Sequence, residues 1–543
     1  MLTYSPDHQN NLPRPTEKPW VLLLLAFIWL WPAIIGHDPW KPDEPFVLAV
    51  VQDMLAHGHW LVPTFQGEPW LSNPPLYYWV ASFFVRLFSP WLLPAHDAAR
   101  LATPLFMALA LTCVGGAARE LIGRRHGRSA VLILIGCIGL VETGHQMTSS
   151  VASFTGYAAA FYALALCLRL PALSGALLGL ASTVLFLSSS LLDLMLLWSV
   201  VLLLPLFPAW RNKRYAITVT MALLFGLPLL LVWPVAFARY YPALFDLWWH
   251  DYALGELAGF SRPDFFHDSG YYLKTALWYA WPAWPLAGWT LYRRRHFDKP
   301  MMQLPGLFFA VIIILLTLSG MQATKNTMPL LLPLALMAAI ELDTLRRGAA
   351  AALNWFALMT FGFFGLLVWF GWAAMNFGWP ERLAGRAHYF SPYYVPHVSV
   401  AMALCGLFAT LVWIWALTRR NLRGRQAVTN WAAGLTLLWG LIGSLWLPWL
   451  DALKSYRPVV VDMVRHLPAD AGCVSTGVGN LMGRVSWQYY AGMNLSLRES
   501  ACELRLIIRP RSILPDPAWQ VIWQGSRPRE DDEIFVLERR RAH

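Results

Sequence analysis

Two adjacent carboxylates, Asp43 and Glu44, stand just past the first long apolar run, within Lys41-Pro42-Asp43-Glu44-Pro45. A carboxylate at a membrane edge can accept a proton from an incoming hydroxyl or amine, which is general-base work. It can also hold a metal, or cap the helix predicted over 45–57, because acidic residues favour a helix's first turn. Cations able to grip a phosphate occur later in the chain: Arg262, Lys274 and Lys325. Arginine would give a bidentate grip and lysine a point charge. The bland alternative for Arg262 and Lys274 is anchoring at lipid headgroups. Lys325 sits between Thr324 and Asn326 in an otherwise apolar region, which suits a phosphate contact. His57 and His59, and His267 beside Asp268, are metal-binding types without a recognised ligand spacing, so packing at the interface is the simpler reading. Glu142, His145 and Asp193 fall near the ends of apolar runs, where an ionisable group either serves function or reaches back to water.

The elements that must position these residues are membrane helices. Of 543 residues, 57% are hydrophobic and only 13% charged, which excludes a soluble globular protein. Apolar runs long enough to cross ~30 Å of hydrocarbon recur along the chain, and in lipid they must be helical. Spans are predicted at about 20–36, 97–120, 129–147, 151–170, 174–190, 191–207, 215–238, 271–291, 305–319, 327–345, 350–376, 396–418 and 430–450, thirteen in all. Thirty tryptophans suit interfacial belts. A formal charge of +11 does not signal nucleic acid, because the basic residues form short clusters between spans and no continuous face. Residues 76–92 are apolar but short, and Arg86 and Ser89-Pro90 interrupt them. Laid flat on the membrane, they leave every basic cluster on the N-terminal side, in line with the positive-inside rule. That choice sends loops 37–96 and 239–270 and the tail from about 451 outward, and leaves 1–19 as a cytoplasmic N-terminal tail.

The polar tail reads as a small α/β domain, with a helix over 456–467 and strands at 473–476, 504–508, 519–523 and 534–537. Cys473 and Cys502 lie in it and would pair in an oxidising compartment. Cys113, Cys137, Cys167 and Cys405 fall in spans as packing residues.

The order acidic pair, interfacial helix ending in His57-Gly58-His59-Trp60, proline-rich return, Ser72-Asn73-Pro74-Pro75 and flat aromatic helix Leu76-Tyr77-Tyr78-Trp79 resembles the first outer loop of protein mannosyltransferase-like GT-C glycosyltransferases. Within that group it resembles the bacterial aminoarabinose–lipid A transferases. Trp248-Trp249-His250-Asp251, Gly270-Tyr271-Tyr272 and Trp281-Pro282-Ala283-Trp284-Pro285 are similar to the family's second long loop and next helix, and Ser319 to Lys325 to its later lysine-bearing loop. The resemblance implies a polytopic α-helical, GT-C-like membrane domain over 20–450 and a periplasmic α/β domain over 451–543, in a bacterial inner membrane. It implies transfer of a sugar from a polyprenyl-phosphate donor to a lipid A-like glycolipid, a glycan or a protein. Asp43 would be the base with Glu44 beside it, and Lys325, Arg262, Lys274, Asn73, Tyr77, Tyr78, His267 and Asp193 would line the substrate site. No cofactor is required on this reading, with a divalent metal as the open alternative. The chain departs from the family's pattern. Ser72-Asn73 replaces Glu-Lys before Pro-Pro, the stretch Thr148 to Ser153 carries no acid, Ser188 to Asp193 replaces a Lys-Gly-Pro-like turn, and a leucine replaces the tyrosine after the later lysine. Rival readings are a transporter or flippase for a lipid-linked sugar, expected to show repeat symmetry and broken midplane helices, and an inactive relative that only binds it.

Overall fold

An apolar chain in lipid must close its own backbone hydrogen bonds, and here the apolar runs do so as helices. The computed structural model describes residues 19–189, 191–261, 270–417, 424–468, 471–498, 502–509 and 516–541. Among them, eight helices are long and apolar enough to cross a membrane: Ala95–Leu121, Ser149–Leu166, Pro171–Ser188, Lys213–Tyr240, Pro300–Ser319, Arg347–Phe377, Val400–Leu417 and Gly424–Lys454. Other predicted spans are present as shorter or broken helices. The first is helical over Pro19–Leu30 and stops before Trp31-Pro32, where the residue preceding proline is pushed out of helical geometry. The span predicted at 129–147 divides at Gly136-Cys137 into His126–Ile135 and Ile138–Thr143. The one at 271–291 divides into Tyr271–Tyr279 and Ala283–Arg293 at Pro282, which has no N–H to continue the ladder.

Close approach between helices depends on small residues, as expected where lipid supplies no hydrophobic drive for association. Pro171–Ser188 packs along Lys213–Tyr240 through Gly175, Gly179 and Gly226, and a Cβ on Gly179 would lie 2.8 Å from the Ala222 carbonyl oxygen and the Gly226 Cα. Arg347–Phe377 and Val400–Leu417 lie at the rim, with most of their apolar surface exposed.

The loop that carries the acidic pair is built from three pieces. Glu44–His57 is a helix with Pro45 in its first turn, and Gly58 stops it in a left-handed conformation at φ 73°. A two-stranded ribbon follows, β1 (Thr64–Phe65) antiparallel to β2 (Glu68–Pro69). Then comes Leu76–Phe88, which buries Tyr77, Tyr78, Ala81, Ser82 and Val85 on one side and exposes Phe83 and Leu87 on the other. Its 13 residues span only about 20 Å at 1.5 Å each, too short for a crossing and consistent with the flat placement.

The tail has its own sheet and core. The strands β3 (Val474–Ser475), β4 (Leu504–Ile508), β5 (Trp519–Gly525) and β6 (Phe535–Arg540) pair in the order β3-β4-β6-β5. The β3–β4 pairing is parallel and the other two are antiparallel. Helix Arg457–Arg465 lies where the sequence predicts one. Helix Leu481–Ala491, capped by the Asn480 side chain on the Gly483 N–H, was not anticipated. Cys473 and Cys502 are bonded, joining the starts of β3 and β4.

The Gly179–Gly226 approach is testable. Gly179→Leu should force the two helices apart and cost about 1–3 kcal/mol, read as a lower midpoint in thermal unfolding of the detergent-purified protein. Gly362→Leu, where a Cβ meets open space, should leave the midpoint unchanged.

Candidate active site

Asp43 occupies the N-cap position of helix Glu44–His57, yet its side chain makes no capping hydrogen bond. The carboxylate turns instead toward the interior of the loop cluster. Its Oδ2 accepts from Lys325 Nζ at 3.4 Å and from Thr148 Oγ1 at 3.3 Å. Three distant segments therefore converge on one oxygen: the first loop, the turn before Ser149–Leu166, and the short helix Thr324–Thr327. Both charged groups stay partly open to solvent, with side-chain exposures of 29% for Asp43 and 47% for Lys325. An accessible carboxylate paired with an accessible ammonium can exchange either partner for a substrate group.

Glu44 requires a correction. Expected as a second reactive carboxylate, it is buried and fully engaged. Its two oxygens receive Arg100 Nε and Nη2, each at 3.2 Å, the Trp40 N–H at 3.0 Å and the Met147 N–H at 3.1 Å. Burial alone would raise its pKa; the Arg100 charge, helped by these bonds, outweighs burial and holds the carboxyl below its ordinary range. Arg100 also donates to Asp97 Oδ1 at 2.9 Å and to the Ile34 carbonyl at 3.0 Å. Sequence reasoning missed Arg100. The signal was there: Asp97 and Arg100 stand three apart at the start of a long apolar run, where unpaired charge is not tolerated.

The other predicted residues sort by position. Asn73 accepts from Ser149 Oγ at 3.1 Å, next to the Thr148 that touches Asp43. Tyr78 bonds Asn73 and accepts from Trp70 Nε1 at 3.1 Å. Tyr77 is buried against Thr103 at 2.7 Å and braces the loop from beneath. Asp193 accepts from Tyr157 OH at 2.8 Å. Tyr272 donates to the Met321 carbonyl, in the segment leading to Lys325. Lys274 is exposed on the Tyr271–Tyr279 helix. Arg262 and His267 lie outside the described residues. His57 pairs with Asp53 at 3.0 Å, His59 bonds Thr64 at 3.0 Å, and both His145 ring nitrogens face backbone carbonyls. Among the described residues, no three His, Cys, Asp or Glu side chains converge as a metal would need.

The tail domain is fastened over this loop. Arg457 and Ser455 bind Asp38, with Arg457 Nε at 2.9 Å and Ser455 Oγ at 2.6 Å, and Lys41 pairs with Glu533. Gln66 bonds Gln488 at 2.8 Å, and Arg484 reaches Gln66 at 2.7 Å and Glu68 at 3.3 Å. His96 shares a 2.5 Å hydrogen bond with Tyr489. Burial first, then the Arg100 charge, pushes His37 down to about 4, so it is neutral at physiological pH.

No family model matches the chain. It is 30% identical over 451 residues to the undecaprenyl phosphate-alpha-4-amino-4-deoxy-L-arabinose arabinosyl transferase of Pseudomonas aeruginosa, covering 79% of this chain and 75% of that one. It is 27% identical over 549 residues to the enzyme of the same name from Pseudomonas paraeruginosa, covering 96% and 93%. The fold is that of ArnT from Cupriavidus metallidurans, in a structure bound to undecaprenyl phosphate, with a TM-score of 0.65, 15% identity and 96% of both chains covered. Helical bundle, outer loop and small tail sheet together define a GT-C-type membrane glycosyltransferase. The chain belongs to the undecaprenyl phosphate-aminoarabinose arabinosyl transferase family.

Two outcomes follow from this geometry. Arg100→Leu takes the cation from two buried carboxylates, Glu44 and Asp97, and should cost about 3–5 kcal/mol; the Glu44→Gln, Arg100→Leu double variant should recover part of that loss in thermal unfolding. For His37, the folded value of about 4 lies below the ordinary 6.5, so the unfolded chain binds the proton more readily. Its contribution is complete above 6.5 and lost as pH falls toward 4. The unfolding midpoint should drop over that window, and His37→Phe should flatten the dependence.

Proposed function

We propose that this enzyme transfers a pentose, 4-amino-4-deoxy-L-arabinose, from undecaprenyl phosphate to a lipid A-like envelope glycolipid, at the periplasmic face of the inner membrane. The observation that carries the chemistry is the open Asp43–Lys325 contact at 3.4 Å. The donor and sugar are those in the names of the relatives at 27% and 30% identity.

In this reading Asp43 is the general base. The acceptor hydroxyl attacks the anomeric carbon as the carbon–oxygen bond to the lipid phosphate breaks, and Asp43 takes the hydroxyl proton. The phosphate leaves carrying the bonding pair, and a cation beside it stabilises the growing charge. Lys325 is that cation. Before the donor arrives its ammonium rests on Asp43; an incoming phosphate is the stronger partner and draws it away, leaving the carboxylate free to act. Thr148 bonds Asp43 and Asn73 bonds the adjacent Ser149, and these, with the Asp193–Tyr157 pair, would offer hydrogen-bond partners to sugar hydroxyl or amino groups. Residues 20–450 supply the membrane unit, and the tail from about 451 covers the loop and narrows the acceptor's approach.

Asp43→Asn keeps the shape and removes the base, so turnover of labelled undecaprenyl phosphate-linked aminoarabinose onto lipid A should fall at least about 100-fold, while donor binding persists. Lys325→Ala should weaken donor affinity as well as turnover. Full activity in Asp43→Asn would overturn the assignment of the base, and donor binding without turnover in the unaltered chain would mark it as a binding protein only.

A further inference from the structure

A second polar feature lies far from Asp43. Helix Ser149–Leu166 starts at the Thr148 that touches Asp43, and its 18 residues run about 27 Å to the other end of the bundle. Helix Pro300–Ser319 makes the same passage in reverse, ending close to the Lys325 segment. Between the far ends of these helices, and those of Ala95–Leu121 and Lys213–Tyr240, opens a cleft of about 570 Å³. Its polar wall holds Arg169, Arg214, Lys299 and a single carboxylate, Glu120. Glu120 is already paired with Arg169 at 2.8 Å. Arg214 donates to the Leu168 carbonyl, and the Lys299 ammonium has no hydrogen-bond or ion-pair partner among the described residues. Two positive charges therefore face the cleft without a carboxylate to answer them.

The backbone adds to this field. Lys213–Tyr240 and Pro300–Ser319 both begin at the cleft, and a helix start carries a partial positive charge. The remaining wall is apolar and includes Leu121 and Met301, while Leu170, Leu173 and Ile217, exposed on the neighbouring helices, mark the adjoining surface as lipid-facing. A site with cations at the membrane edge, an apolar wall and an opening toward lipid matches a headgroup phosphate with chains attached. Basic pockets between membrane helices suit such ligands.

We propose that this cleft binds the phosphate of an anionic membrane lipid in the leaflet opposite the candidate active site. Arg214 and Lys299 contact the phosphate oxygens, Arg169 is held ready by Glu120, and the acyl or prenyl chain runs along the Leu121–Met301 wall. The site is independent of Asp43 chemistry and takes no part in sugar transfer.

The test uses native mass spectrometry of the full chain released from nanodiscs of equal parts phosphatidylglycerol and phosphatidylethanolamine. Retained phosphatidylglycerol should fall roughly fivefold for each charge removed in Lys299→Gln and Arg214→Gln, and further in the double variant, with phosphatidylethanolamine adducts unchanged. Lys299→Gln alters an exposed side chain and leaves the main-chain bonds from Met302 and Gln303 to the residue 299 carbonyl in place, so its fold is not at risk. Competition by added undecaprenyl phosphate would support the site as one for lipid phosphates in general. Equal phosphatidylglycerol retention in the double variant and the unaltered chain would overturn the proposal. So would stripping of the lipid by excess inorganic phosphate, which would show an ion site with no use for the chain.

Discussion

The buried pair between Glu44 and Arg100 organises the end of the molecule where the chemistry is placed. A lone charge at either position would be too costly in such surroundings, and a pair offsets this only when its remaining hydrogen-bonding capacity is also met. Here it is met by backbone from both sides: the Trp40 and Met147 N–H groups on the glutamate, and the Ile34 carbonyl on the arginine. The pair thereby binds the end of the first helix, the start of the loop helix and the turn before Ser149 into one block. Asp43, one residue away, inherits a fixed position, while its own carboxylate stays accessible.

Around that block the molecule is divided by solvent. The bundle is held by glycine-mediated contacts and apolar packing, as lipid surroundings demand. The tail is held to the loop by charge and hydrogen bonds, through Asp38, Lys41, Gln66, Glu68 and His96, and by apolar packing, since Val485 of the tail is buried in the bundle's core and Phe46 of the loop packs against the tail's core.

Much of the architecture was legible because period and length speak directly. The long apolar runs became helices, and the strands at 504–508, 519–523 and 534–537 appeared where β-branched and aromatic residues cluster. Helix breaks were less visible, although Pro282 and Gly136 caused them, because local residues bias a helix without deciding whether it bends or stops. Helix Leu481–Ala491 was hidden by Gly483 and a run of aromatics that fits either period, despite the capping asparagine before it. The site was legible in type but not in role. Asp43 and Glu44 look alike in a sequence; what separates them is Arg100, 56 residues from Glu44, and Lys325, 282 residues from Asp43. No local pattern encodes contacts at that separation. Thr148 drew notice only as a place where an acid was missing, yet its hydroxyl touches the Asp43 carboxylate.

Placing the anchoring carboxylate and the exposed one on consecutive residues has a population-level consequence. On the proposed role of Asp43 as the base, its loss leaves the scaffold whole, so such a variant would still be inserted and hold carrier lipid without turning it over. A cell with both forms would then suffer interference from that copy, whereas loss of the neighbouring glutamate would strike the fold itself.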